Sequence, residues 1–135
     1  MNTLQVLTYN HDKKGISWVY PHIKGAPPSP RYQHTMVHFP EANCLIMYGG
    51  RSTPFAKSSA KYNLDDLVVL NLEYMAWVSP KMSGDTSIKT RYAHSSTIHS
   101  GKMLVFGGKF SEDYIESGLS ILELSTPISF VTNSH

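Results

Sequence analysis

Charge is scarce in this chain. Asp, Glu, Lys and Arg make up 16% of its 135 residues, against roughly 25% in ordinary soluble domains. Too few Glu and Lys remain to line the flanks of a coiled coil. A hydrophobic share of 41% excludes a disordered tail, since such segments combine low hydrophobicity with high charge. The net charge of +2 marks neither a nucleic-acid binder nor a membrane-surface binder. The single cysteine, Cys44, cannot form an internal disulfide, which fits a reducing compartment. No apolar run approaches the ~20 residues that span a bilayer. The opening MNTLQVLTYNHDKK has no basic region followed by an apolar stretch, so no secretory leader is read and a cytoplasmic location is expected. Helical periodicity is missing too: no window holds an i, i+3, i+4, i+7 apolar pattern for about ten residues.

What the chain does contain is a copy of itself. The segment from Trp18 to Phe39 recurs from Trp77 to His99. Trp18 maps to Trp77 at an offset of 59 residues, and Arg31-Tyr32-x-His34 maps to Arg91-Tyr92-x-His94 at 60. CLIMYGG, ending at Gly49-Gly50, maps to MLVFGG, ending at Gly107-Gly108, at 58. DLVVLNL from Asp66 maps to GLSILEL from Gly118 at 52, so the length difference lies in the loop after the glycine pair. A repeat of this period points to blades or solenoid units.

The stretches 34–39, 44–48, 67–72 and 76–79 are short, rich in aliphatic and aromatic residues, and bounded by Pro, Gly, Asn, Asp or Ser. That is the pattern of strands, and the short connections predict antiparallel neighbours. Each repeat is thus expected to be a four-stranded meander, its strands lettered a to d. Residues 4–9 and 17–20 read as strands c and d of a preceding partial unit, and 128–132 as a last strand d. The division expected is 1–24 for the partial unit, 25–81 for a full blade, and 82–135 for a second blade with an atypical last strand.

The Gly-Gly strand ends, the Trp hairpin and the recurring Arg-Tyr-x-His resemble the longer variety of the kelch repeat, over about residues 4–132. Leu70-Asn71 stands where the family carries Tyr-Asp, and Phe130 is the candidate for the missing last Trp. The resemblance implies an all-β fold of kelch-type β-propeller blades, about 2.5 blades of an incomplete ring. A propeller closes with at least four blades, so the chain is expected to be part of a larger propeller or assembly.

Most motif residues have an architectural reading. Gly49, Gly50, Gly107 and Gly108 suit backbone that turns with positive φ and approaches a neighbour closely. Trp18 and Trp77 suit the wedge between blades. Arg31 and Arg91 are expected to fork onto backbone carbonyls between blades. His34 and His94 are expected to be structural; His34 and His38 share a strand face, but His94 and His99 do not, so no repeated metal pair exists. Cys44 begins a strand and is expected to be inert packing.

Function is expected in the loops. The b–c segments (51–65 and 109–118) and the d–a segments (21–30 and 80–90) are long and leave the same face, while the a–b turns are tight. The b–c loops carry Arg51, Phe55, Lys57, Tyr62, Phe110, Glu112, Asp113 and Tyr114, aromatic groups among charges, as protein interfaces prefer. The reading is a non-catalytic scaffold or adaptor binding a protein partner, with no cofactor, nucleic acid or membrane. The alternative is a fragment of a galactose-oxidase-like or specifier-like enzyme with metal at the propeller mouth. Fold by itself does not choose between them.

Overall fold

The computed structural model describes residues 3–52, 63–84, 90–125 and 129–134, with side chains as far as residue 124. The first full repeat contains β3 (Thr35–Phe39), β4 (Cys44–Tyr48), β5 (Leu67–Asn71) and β6 (Ala76–Val78), hydrogen-bonded in that order and antiparallel throughout. These are strands a to d. The second repeat supplies β8 (Ser95–His99), β9 (Lys102–Phe106), β12 (Leu119–Ser125) and β13 (Ser129–Ser134), again consecutive and antiparallel. Ahead of both, β1 (Val6–Asn10) and β2 (Gly15–Val19) form a hairpin. Apart from one 3-10 turn at Pro40–Ala42, the described residues contain no helix. The all-β meander architecture expected from the repeat is the one present.

The a–b turns are tight for a local reason. Ser100 (φ 48°) and Gly101 (φ 67°) join β8 to β9; two consecutive positive φ values make the type I′ turn that matches strand twist. In the first unit the 3-10 turn ends on Asn43 at φ 46°, whose N–H donates to the Pro40 carbonyl. The c–d turn uses an Asx device. The Asn71 side-chain oxygen accepts from the Tyr74 N–H at 2.9 Å, as that of Asn10 does from Asp12 and Lys13. Asn71 thereby serves the turn in place of the family's aspartate.

Three features depart from expectation. The segment 80–90, read as loop, contains β7 (Lys81–Gly84), which pairs parallel to β13 as a fifth strand on the outer edge. The first unit has the same feature in miniature, because Lys24 bridges Ala76 in parallel. Gly25 follows at φ 80°, where an added Cβ would lie 2.7 Å from the Trp77 carbonyl oxygen. Second, the b–c loop of the second unit holds a short hairpin, β10 (Lys109–Ser111) and β11 (Tyr114–Ile115). Third, the last strand begins one residue later than expected and runs to Ser134. Its register places Thr132 opposite Leu122, as Trp77 stands opposite Leu70. Phe130 is therefore not the substitute for the Trp.

The core lies between the two four-stranded units. Alternate residues of β4 and β5 (Cys44, Ile46, Tyr48, Leu67, Val69) meet Met103, Val105 and Leu122 from the second unit. Period-two alternation puts each set on one sheet face. Each such aliphatic side chain contributes ~1.5–3 kcal/mol by leaving water. The β1–β2 hairpin has no such partner. Its Leu7, Tyr9, Ile16 and Trp18 are all exposed, Trp18 to 60%. Trp18 was expected in the wedge between blades; among the described residues no sheet stands against this two-stranded ribbon, so the indole stays in water. Trp77, by contrast, is half-buried and lines an open cavity of about 380 Å³ together with Arg31, His34, Met36 and Met47.

Candidate functional site

The Arg-Tyr-x-His element is the hinge between units. Its third position takes a left-handed conformation in both copies, Gln33 at φ 56° and Ala93 at φ 55°. This kink carries the chain from the loop into strand a and turns the His inward. The Ala93 N–H donates to the Gln33 carbonyl at 2.9 Å, so the two kinks stack across the blade boundary. The Arg91 carbonyl accepts from the Gly50 N–H at 2.8 Å, and the Arg91 N–H donates to the Leu64 carbonyl at 3.1 Å. At Gly49 (φ 63°) a Cβ would collide with the Arg91 carbonyl oxygen and meet the His94 ring. Glycine is required there by both conformation and contact.

His94 is buried and stacks against Tyr48 with ring centroids 5.0 Å apart. Its Nε2 lies 2.8 Å from the Thr35 hydroxyl, which also meets the Ser96 hydroxyl at 2.7 Å. Burial, then the Arg91 and His34 charges, push the His94 pKa down from 6.5 to about 4. Burial and Arg31 lower that of His34 as well. Both rings are thus held in their neutral form inside the structure. A depressed folded-state pKa means that the unfolded chain takes up protons first on acidification. Stability is therefore expected to be flat above about pH 6.5 and to fall as pH drops from there toward 4, read as the urea midpoint. His94→Gln should flatten most of that slope.

The arginines behave differently from expectation. Arg31, with its side chain 2% exposed, forks onto the Asp66 carboxylate at 2.6 and 2.7 Å and donates to the Gly49 carbonyl at 3.1 Å. The bond lies within its own unit, where a carboxylate outcompetes a carbonyl for a guanidinium. Arg91 is buried too, but it meets the Ser120 hydroxyl at 3.2 Å and the Glu116 carboxylate at 4.0 Å. It is the Arg91 backbone, not its guanidinium, that crosses between blades.

The b–c loops meet at this boundary. Arg51 and Lys109, each following a glycine pair, exchange two backbone hydrogen bonds with Tyr32 and Tyr92 of their own units. The Arg51 guanidinium then reaches across to lie 4.6 Å over the Tyr92 ring and 2.6 Å from Glu112. Asn63 donates through Nδ2 to the Phe110 carbonyl at 2.7 Å. Phe110 packs on Tyr114 with centroids 4.4 Å apart. Arg51, Phe110, Glu112 and Tyr114 are thus gathered into one cluster, with Asp113 exposed at the hairpin turn. Phe55, Lys57 and Tyr62 lie outside the described residues. Asn63 and Lys109 were missed, although the recurring Gly-Gly-basic triplet was a visible signal for Lys109.

Cys44 is fully buried and burial raises its thiol pKa, so it is packed rather than reactive. Among the described residues no three His, Cys, Asp or Glu side chains converge as metal ligands. No helix among them is long and apolar enough to cross a membrane.

The KLHDC2/KLHL20/DRC7 Kelch-repeats domain matches residues 2–129. A probable serine/threonine-protein kinase of Dictyostelium discoideum is 36% identical over 110 residues, which cover 80% of this chain and 8% of that protein. Host cell factor of Drosophila melanogaster is 34% identical over 116 residues, covering 80% of this chain and 7% of that protein. Dynein regulatory complex subunit 7 of Chlamydomonas reinhardtii is 31% identical over 93 residues, 69% of this chain and 7% of its own length. The chain spans less than a tenth of each of these three relatives. With its repeated Gly-Gly strand ends, Arg-Tyr-x-His kinks and four-stranded meanders, the chain belongs to the kelch-repeat family.

Proposed function

We propose that this chain is a non-catalytic scaffold or adaptor module that binds a protein partner through its b–c and d–a loops. One observation carries the reading. The β10–β11 hairpin holds Tyr114 and Ile115 54% and 69% exposed, while the Asn63 and Arg51–Glu112 bonds brace it against the first unit and the Phe110–Tyr114 contact stiffens it from within. Exposed aromatic and aliphatic groups on a braced loop, ringed by charge, are what a protein partner uses as anchors. Bracing also lowers the ordering cost of association. The subunit name of the dynein regulatory complex relative points the same way, toward assembly with other proteins.

The test compares proteins captured by the parent chain with those captured by Tyr114→Ala and by Glu41→Ala, which alters an a–b turn. A genuine partner should be lost with Tyr114→Ala and kept with Glu41→Ala, and its affinity should fall roughly 5- to 30-fold, about 1–2 kcal/mol. Loss with the turn variant and retention with the loop variant would place binding on the opposite face.

A further inference from the structure

The d–a loop of the first unit brings an exposed serine onto a buried cation. Ser29 is exposed; its hydroxyl accepts from Arg31 Nη2 at 3.1 Å, and its carbonyl accepts from Arg31 Nε at 3.1 Å. The same guanidinium, on a side chain 2% exposed, forks onto Asp66 and donates to the Gly49 carbonyl. One edge of Arg31 thus faces a carboxylate of the protein, and the other faces a hydroxyl at the surface. That second edge meets only neutral oxygens. An anion placed there would turn ordinary hydrogen bonds into charge-assisted ones, roughly twice as strong.

The chain around Ser29 has the form that a kinase cleft accepts. It reads Pro27-Pro28-Ser29-Pro30, and residues 26–30 belong to no strand or turn. Pro30 disfavours the helical region for Ser29, and the prolines before it fix their own φ, so an extended substrate segment is nearly ready-made. Pro30 also removes the N–H that follows the serine. A cleft with an apolar wall and no acceptor at that place takes proline and rejects other residues. Ser79 precedes a proline too, but β6 ends at Val78 and β7 begins at Lys81, so both its flanks are held in sheet ladders. The residue matching Ser29 in the second repeat is Lys89, so the serine is no architectural part of the repeat.

We infer that Ser29 is a phosphorylation site for a proline-directed serine/threonine kinase, with Arg31 as the receptor of the phosphate. A bond forms between Ser29 Oγ and the γ-phosphorus of ATP, and the bond from that phosphorus to the β–γ bridging oxygen breaks. The hydroxyl proton passes to the kinase's base and ADP leaves. The phosphate carries about −1.5 to −2 charges at pH 7, and Arg31 already touches the oxygen that bears it. Asp66 is 43% exposed, so water on its outer side screens the second anion. His22 and Lys24 are the other ionisable side chains of segment 21–30, and the modification therefore reverses the sign of the loop's charge. It does so on the rim of the cavity that Ser29 shares with Arg31, His34 and Trp77.

The experiment incubates the folded chain with a cyclin-dependent kinase and Mg-ATP, maps the phosphate by mass spectrometry, and then compares urea midpoints. Ser29 should be the residue modified. Asp66→Asn leaves the Arg31 charge without its carboxylate and should lower the midpoint. Phosphorylation should return roughly half or more of that loss, because the phosphate supplies the missing anion. The recovery should vanish when Ser29→Ala is combined with Asp66→Asn. An Asp66→Asn chain that folds only when phosphorylated supports the proposal equally. Modification confined to Thr53, Ser79 or Thr126, the other residues that precede a proline with a hydroxyl, overturns the site. Phosphate on Ser29 that leaves the Asp66→Asn midpoint unchanged or lower overturns Arg31 as its receptor, as does an Asp66→Asn chain unfolded in both states.

Discussion

Gly49→Ala is expected to lower stability by about 3 kcal/mol or more in urea unfolding, while Gly107→Ala, at the matching place in the repeat, should cost only about 1–2. Both glycines sit at nearly the same positive φ, 63° and 68°, and forcing alanine into the left-handed region costs roughly 1–2 kcal/mol in each case. The difference lies in the neighbour. An alanine methyl at Gly49 meets the Arg91 carbonyl and the His94 ring, whereas at Gly107 the nearest atom is 3.8 Å away. The obstacle at Gly49 is backbone, which yields only if the two units part, and overpacking of that kind costs ~1–3 kcal/mol more. Equal effects at the two positions would mean that the units do not pack as described. Gly101→Ala is the control, with a φ of 67° and nothing within 4 Å of an added methyl.

Asp66→Ala should be the most costly change of any charged residue, about 2–3 kcal/mol. Breaking a buried pair costs roughly 3–5 kcal/mol because it strands a desolvated charge. Here the carboxylate side is 43% exposed while the Arg31 side chain is 2% exposed, which moves the figure to the lower end or below it. Arg31→Met combined with Asp66→Leu should cost much less than the two single changes together, since the stranded charge is gone. A double-mutant cycle with no coupling would show that the fork is dispensable.

Most of the blade pattern was legible, and the reasons are local. Strands β3, β4, β5 and β6 are short, alternate in character and end on turn residues, so their limits fall within one residue of the sequence expectation. The Gly-Gly pairs declared close backbone approach because nothing else explains two adjacent glycines recurring at a strand end. The outer strand β7 was not legible. Its four residues, preceded by Pro80 and ending on Gly84, carry no alternation of their own and gain their partner, β13, from nearly fifty residues away. The only trace was Gly84 repeating Gly25.

The Arg31–Asp66 fork was hidden for a related reason. The residue matching Asp66 in the second copy is Gly118, with Glu116 nearest to Arg91 instead, so no repeated pair advertised the interaction. Trp18 is exposed because, among the described residues, no second sheet stands beside its hairpin, and the indole's suitability for a wedge does not say whether one does. The b–c cluster was readable as a set of residue types in one loop. That Arg51 joins it to the next unit through Tyr92 and Glu112 depends on how the blades stack, which no single repeat encodes.

The packing of one kelch unit on the next is tested most directly by amide hydrogen exchange in solution, resolved by NMR. The Gly50 and Ala93 amides donate across the boundary to Arg91 and Gln33, outside any strand ladder, so only blade-on-blade packing can protect them. They should exchange as slowly as the amides of Ile46 and Val105 in the core strands. Fast exchange at Gly50 and Ala93, with the strand amides still protected, would contradict the account: each sheet would be folded, but the two would not be adjacent blades.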